Sequence, residues 1–179
     1  GERGIFNRAA AQKQIIHANE HRQSMGEEYR LRESDHEFGT NPCSEIILRD
    51  KEFCNLTEIV VRGDDTAESL ERKVRLATIL GTWQSTLTNF KYLSSEWERN
   101  CEDERLLGVS MTGIMDCKLT NGKSKGLEEL LTHLKTTAIK ENKKAAKRIG
   151  INESVAITCV KPSGTVSQLV DAASGIHAR

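Results

Sequence analysis

No stretch of this chain is apolar for anything like the roughly 20 residues needed to cross a bilayer. The opening Gly1-Glu2-Arg3-Gly4-Ile5-Phe6 lacks the apolar core of a secretion signal. Charge of one sign is missing too: 26 Lys+Arg balance 26 Asp+Glu. That balance argues against a scaffold that holds nucleic acid by a basic excess. Aromatic residues are only 4%, too few to offer many stacking platforms to bases. The 5 cysteines are odd in number and contain no CxxC and no zinc-finger spacing. The expected setting is therefore a reducing cytoplasm rather than a secreted disulfide framework. There is no internal repeat, low-complexity tract or linker. What remains is 179 residues, enough for one domain with a real core. A chain that opens on Gly rather than Met is expected to be a fragment or a processed product.

The pattern alternates helix and strand. Ala9 to His21 reads as a helix and Gly26 to Asp35 as a solvated, charged connection. Phe38 to Cys43 breaks any helix through Gly39 and Pro42. Glu45 to Leu48 and Leu56 to Val61 read as strands or extended loop. Asp65 or Thr66 can cap a long helix running to about Asn89, with Glu68 three residues after Asp65 in a capping-box position. A second helical piece spans about Ser95 to Glu104, and Leu106 to Met111 reads as a buried strand. The spacing of Leu127, Leu130, Leu131, Leu134 and Ala138 predicts another helix, stopped by Gly150. Val155 to Val160 reads as a continuous apolar strand, followed by a turn at Pro162 to Thr165 and a helix start at Val166. This alternation favours an α/β fold with parallel strands.

Two stretches carry chemistry. In extended backbone, Asn41, Cys43 and Glu45 would project an amide, a thiol and a carboxylate to one side. Pro42 fixes its own φ and biases Asn41 to an extended conformation. The trio offers a sulfur reagent beside a possible general base; a loop with a buried Cys and a surface Glu is the plainer reading of the spacing. Cys54, eleven residues on, could return beneath Cys43 as a second thiol or serve as an inert core residue. Lys161-Pro162-Ser163-Gly164-Thr165 follows a strand and opens a helix. Free N–H groups there favour phosphate, although an ordinary capped turn would look the same.

Asn41-Pro42-Cys43-Ser44-Glu45-Ile46, Cys54-Asn55-Leu56-Thr57-Glu58, Leu107-Gly108-Val109-Ser110-Met111-Thr112-Gly113 and Lys161-Pro162-Ser163-Gly164-Thr165 occur in that order. Together they resemble the catalytic chain of ribonucleotide reductase, most nearly the monomeric, adenosylcobalamin-dependent ribonucleoside-triphosphate reductases. The resemblance implies that residues 1–179 are part of a ten-stranded α/β barrel with a finger loop at about 38–56. It implies Cys43 as the thiyl-radical residue that takes hydrogen from the ribose 3′ carbon. Glu45 would be base to the 3′ hydroxyl, and Asn41 a ribose hydrogen-bonding group. Cys54 would be one of two reducing thiols, and Ser163, Gly164, Thr165 and Val166 the holders of the substrate phosphates. It further implies adenosylcobalamin as cofactor, a thioredoxin-like reductant and an allosteric deoxynucleotide bound outside this sequence, with no nucleic-acid or membrane partner. The family's partner for Cys54 lies far upstream, and no cysteine precedes Cys43 here. Its C-terminal thiol pair is also missing from these residues. The charged stretch from Gln23 to Glu33 is longer than the resemblance implies.

Two alternatives are a diiron-type ribonucleoside-diphosphate reductase and a non-catalytic nucleotide-binding α/β module. His17-Ala18-Asn19-Glu20-His21 fits an inverted zinc-protease motif, but its neighbours Gln14, Arg22 and Gln23 read as a solvated face. No metal ligand is therefore assigned. His36, His133 and His177 read as surface residues; Cys101, Cys117 and Cys159 as packing; Trp83 and Trp97 as core. Lys161 reads as an exposed lysine or a phosphate neutraliser, and Lys140 to Arg148 as a solvated helix face.

Overall fold

The computed structural model describes residues 4–26 and 28–178. Helix α1 spans Arg8–Ser24 and starts where the Asn7 side chain accepts from the Ala10 N–H. Strands β1 (Phe38–Thr40) and β2 (Ile47–Arg49) then form an antiparallel hairpin. Strand β3 (Asn55–Val60) runs parallel to β4 (Leu107–Thr112), with Asn55 opposite Leu107 and Val60 opposite Thr112. Helices α2 (Ala67–Gln84) and α3 (Ser95–Glu104) lie between them in sequence. Helix α4 (Leu127–Ile149) and the short α5 (Gly164–Leu169) complete the chain. The result is a mixed α/β fold with two small sheets.

The core lies on one face of β3 and β4. Leu107, Val109 and Ile59 meet Leu70, Val74 and Ala77 of α2 and Leu134, Ala138 and Ile139 of α4. Gly81 of α2 lets that helix close on the sheet, 3.5 Å separating its would-be Cβ from Leu107 and Thr57 side chains. Burying each of the Leu, Val and Ile side chains among them stabilises the fold by about 1.5–3 kcal/mol before entropy is counted. Gly150 ends α4 in the left-handed region at φ 74°, where a side chain would be strained.

Several elements differ from their sequence patterns. The α2 cap is Thr66 in a reciprocal box with Ser69 rather than Asp65 with Glu68. Asp65 instead accepts from Arg62 N, Ser69 Oγ and Lys73 Nζ. α2 stops at Gln84, short of Asn89, because the Ser85 and Thr86 hydroxyls donate to the Thr82 and Trp83 carbonyls and close the last turn. Trp83 is not core: with Leu76 and Leu80 it forms an outer stripe, each residue more than half exposed. Trp97 stacks on Phe53, ring centroids 4.6 Å apart.

Residues 155–160 do not make a continuous buried strand. They track β4 in parallel, with Leu107 N donating to Ala156 O, Val109 N to Ile157 O and Cys159 N to Val109 O. Donors two residues apart meet acceptors one apart, so the ladder slips and only Val109 and Thr158 form a regular bridge. Thr158 and Val160 are left exposed.

The largest departure is the charged connection after α1. Arg32 is buried and its guanidinium grips Glu104, Nε at 3.1 and 2.9 Å and Nη2 at 2.6 Å. Arg22, read as part of a solvated face, is buried and donates to the Arg30 and Ser154 carbonyls. Tyr29 is buried in the main core. A buried guanidinium is tolerated only when paired and hydrogen-bonded, and sequence periodicity does not show which cations have found such partners.

Candidate active site

The residues from Asn41 to Glu45 form the tip of the β1–β2 hairpin. They are not extended. Ser44 stands in the left-handed region at φ 62°, and its N–H donates to the Asn41 carbonyl at 2.9 Å. The alternation expected from extended backbone therefore does not apply. The turn itself brings Asn41 and Glu45 together: Asn41 Nδ2 donates to Glu45 Oε1 at 2.6 Å, and Asn41 Oδ1 accepts from the Ile46 N–H at 3.0 Å. Cys43 is left at the apex as a free, exposed thiol.

The face of the β3–β4 sheet opposite the helices turns toward this hairpin. Cys54 lies just ahead of β3, with Leu56 and Glu58 following on the same side. Gly108 and Ser110 continue the face on β4, and Cys159 and Lys161 extend it beyond. Lys161 is anchored to β4 by its backbone N–H, which donates to Ser110 Oγ at 2.9 Å. Its ammonium reaches Glu45 Oε1 at 2.5 Å. The hairpin motif and the Lys161-Pro162-Ser163 motif, distant in sequence, thus meet in one ion pair. Cys43 is within electrostatic reach of the same ammonium.

The electrostatics follow from this geometry. Burial alone would push the Glu45 carboxyl up, but the Lys161 and Asn41 hydrogen bonds and its own backbone N–H outweigh burial and hold it below the usual carboxylate range. The Glu45 hydrogen bond raises Lys161 in turn. Burial pushes Cys54 well above an ordinary thiol, and pushes Cys159 up to about 12. Glu58 is also raised by burial, with Lys161 acting against the rise. Among the described residues, Glu45 Oε2, Glu58 Oε1 and Ser163 Oγ are buried without a hydrogen-bond partner. A cavity of about 240 Å³ borders Glu45 and is lined also by Gln14, Arg22, Arg32, Lys135 and Thr158.

The turn at Pro162 to Thr165 leads into helix α5, which starts at Gly164 rather than at Val166. Ser163 precedes α5 in a left-handed conformation with no side-chain cap, and its side chain is buried. Gly164, Thr165 and Val166 are exposed at the start of the helix, where N–H groups have no partner within the helix. Sequence reasoning missed Lys161 as a partner of Glu45 and Cys159 as a neighbour of Cys54. The parity of Cys159 and Lys161 along one strand was the available signal. His17 pairs with Glu20 at 3.6 Å on an exposed surface. Among the described residues no three His, Cys, Asp or Glu side chains converge as a metal site, and no helix is long and apolar enough to cross a membrane.

An exposed thiol carried on a hairpin beside an ionised carboxylate, with two half-buried thiols on the adjoining parallel sheet, defines a class of thiol-centred site. Comparison with known proteins makes the class particular. No family model matches the chain. It is 32% identical over 165 residues to the adenosylcobalamin-dependent ribonucleoside-triphosphate reductase of Lactobacillus acidophilus, covering 78% of this chain and 22% of that protein. It is 31% identical over 146 residues to the enzyme of the same name from Euglena gracilis, covering 78% and 19%. A crystal structure of a B12-dependent, class II ribonucleotide reductase matches with a TM-score of 0.63 and 29% identity, over 80% of this chain and 23% of that one. The chain is thus a relative of the cobalamin-dependent ribonucleotide reductases, as its motifs indicated, and it spans about a fifth of the length of those it matches. The diiron alternative is not favoured, because these relatives are named as cobalamin-dependent.

Proposed function

We propose that this chain is the finger-loop segment of an enzyme that reduces ribonucleoside triphosphates to 2′-deoxyribonucleoside triphosphates. The observation that carries this reading is the Glu45–Lys161 ion pair, which ties the thiol hairpin to the phosphate turn. Residues 38–56 act as the finger loop. The β3–β4 face bearing Cys54 and Lys161 lines the interior of a ten-stranded barrel whose remaining strands lie outside this sequence.

Cys43 fits a cofactor that approaches from beyond the hairpin, because its sulfur is free and exposed at the apex. Adenosylcobalamin, when bound, supplies the one-electron oxidation that leaves a radical on that sulfur. The Cys43 radical takes a hydrogen atom from the ribose 3′ carbon and later returns one. Glu45, held ionised, accepts the 3′ hydroxyl proton. Asn41 is placed to hydrogen-bond the ribose. Cys54 and a second thiol from outside this chain supply two electrons as the 2′ hydroxyl leaves as water, and they end as a disulfide. Ser163, Gly164, Thr165 and Val166 hold the triphosphate through backbone N–H groups and hydroxyls. A thioredoxin-like protein regenerates the thiols, an allosteric deoxynucleotide binds elsewhere in the full protein, and the setting is cytoplasmic.

The test is reduction of ribonucleoside triphosphates by the complete protein, with and without added adenosylcobalamin. Cys43→Ser is expected to abolish deoxynucleotide formation and leave nucleotide affinity intact. Unchanged turnover in that variant would overturn the radical reading.

A further inference from the structure

We propose that Lys161 is a positioning residue that clamps Oε1 of Glu45 and so presents Oε2 as the atom that meets the substrate. The inference rests on Glu45 serving as the base. Its geometry does not involve the cofactor.

Lys161 is fixed at both ends. Its backbone N–H is tied to Ser110 Oγ on β4 at 2.9 Å, and the next residue, Pro162, has a restricted φ. Its ammonium is 2.5 Å from Glu45 Oε1, and the Asn41 amide adds a second donor to the same oxygen at 2.6 Å. With two donors on Oε1, the carboxylate cannot rotate without losing both. Oε2 is buried and carries no hydrogen bond among the described residues. A buried acceptor left open costs free energy in the resting protein, and a substrate hydroxyl donating to it removes that cost. The resting arrangement is therefore complementary to a bound hydroxyl and presents one defined oxygen to it.

The other titratable groups around this carboxylate do not replace Lys161. Cys54 and Cys159 lie below Glu45 and are held as neutral thiols by burial. Arg22, Arg32 and Lys135 line the cavity that Glu45 borders. Among the described residues, Lys161 alone forms an ion pair with Glu45. Glu58 faces Lys161 from β3, and burial opposes its ionisation. Lys161 is thus the cation that opposes the effect of burial on Glu45 and favours its charged form.

A lysine that merely bound substrate phosphate would behave differently. Its loss would raise KM for the nucleotide. Loss of a positioning residue lowers kcat and moves the acid limb of the rate profile.

The experiment compares wild type, Lys161→Met and Lys161→Arg in the complete protein, with kcat and KM measured from acid to neutral pH. In parallel, the Glu45 carboxyl is titrated by NMR in carbon-13-labelled chain. Lys161→Met is expected to lower kcat about tenfold or more, leave KM unchanged, and shift both the acid limb and the Glu45 titration to higher pH. Lys161→Arg is expected to restore both positions. Lys161→Gln serves as the neutral variant should the Met form not fold. An acid limb and a Glu45 titration that stay in place, or a raised KM with kcat unchanged, would overturn the proposal. Absence of reductase turnover in the wild type would instead overturn the functional reading.

Discussion

Cys54 and Cys159 flank Gly108, their sulfurs 3.2 and 3.1 Å from the point where a β-carbon on that glycine would stand. The two thiols occupy the space that the missing side chain leaves. Leu56 Cδ2 is closer still, at 2.5 Å. Gly108→Ala is therefore expected to displace Leu56 and both sulfurs and to destabilise the chain by about 1–3 kcal/mol. Urea denaturation measures the loss. An unchanged midpoint would mean that Leu56, whose far end is partly exposed, absorbs the whole intrusion.

The thiols should separate by reactivity. Only the thiolate is the nucleophile, and burial holds Cys54 and Cys159 in the thiol form near neutral pH. Cys43 is exposed. Limited iodoacetamide at neutral pH, followed by peptide mass spectrometry, is expected to label Cys43 first and leave Cys54 and Cys159 largely unmodified. Raising the pH toward 10 should favour Cys159 little, because burial pushes its thiol up to about 12.

Glu45 should make stability depend on acid. Its folded carboxyl lies below its ordinary value, so the unfolded chain binds the proton first as pH falls. The stabilisation is present above the ordinary carboxylate range and is lost as pH falls through the lowered folded value. Glu45→Gln is expected to flatten this acid limb and to cost about 1–2 kcal/mol at neutral pH. Thermal melts from pH 7 down to pH 3 would measure both effects.

Arg32 and Glu104 are paired where water hardly reaches, with side chains 5% and 3% exposed. Arg32→Met would leave Glu104 and the neighbouring Glu52 buried with Arg49 as their shared cation, 3.7 Å from each. A loss of about 3–5 kcal/mol is expected. The double variant with Glu104→Met should recover part of it, because no unpaired carboxylate then remains at that position. Guanidinium unfolding of wild type, the two single variants and the double variant measures the coupling.

Much of the fold was legible in the residues. The β4 strand and the Gly150 stop follow from local signals: an apolar run, and a glycine after a periodic helix. The motifs around Cys43 and Ser163 were legible as well, because proline and glycine mark their turns. What the sequence did not show depends on contacts between distant residues. Lys161 looks like any lysine beside a turn until the hairpin brings Glu45 to it. Arg22 and Arg32 look solvated until Ser154 and Glu104 arrive from more than 70 positions away. The Asn41–Glu45 contact was expected from strand alternation and instead arises from a turn, because Ser44 adopts a left-handed backbone.

The clamp on residues 30–32 also bears on proteolysis. Arg30 N and Arg32 N are held by Glu153 and Asn19 side chains, and the carbonyls of both residues accept from Arg22 and Asn19. A trypsin-like protease must draw several residues of backbone into its cleft, and here that would require breaking the buried network first. Lys123 and Lys125, exposed in the loop before α4, offer no such resistance. Cleavage would begin there, and the segment whose composition most resembles a digestible linker would survive as part of the resistant body.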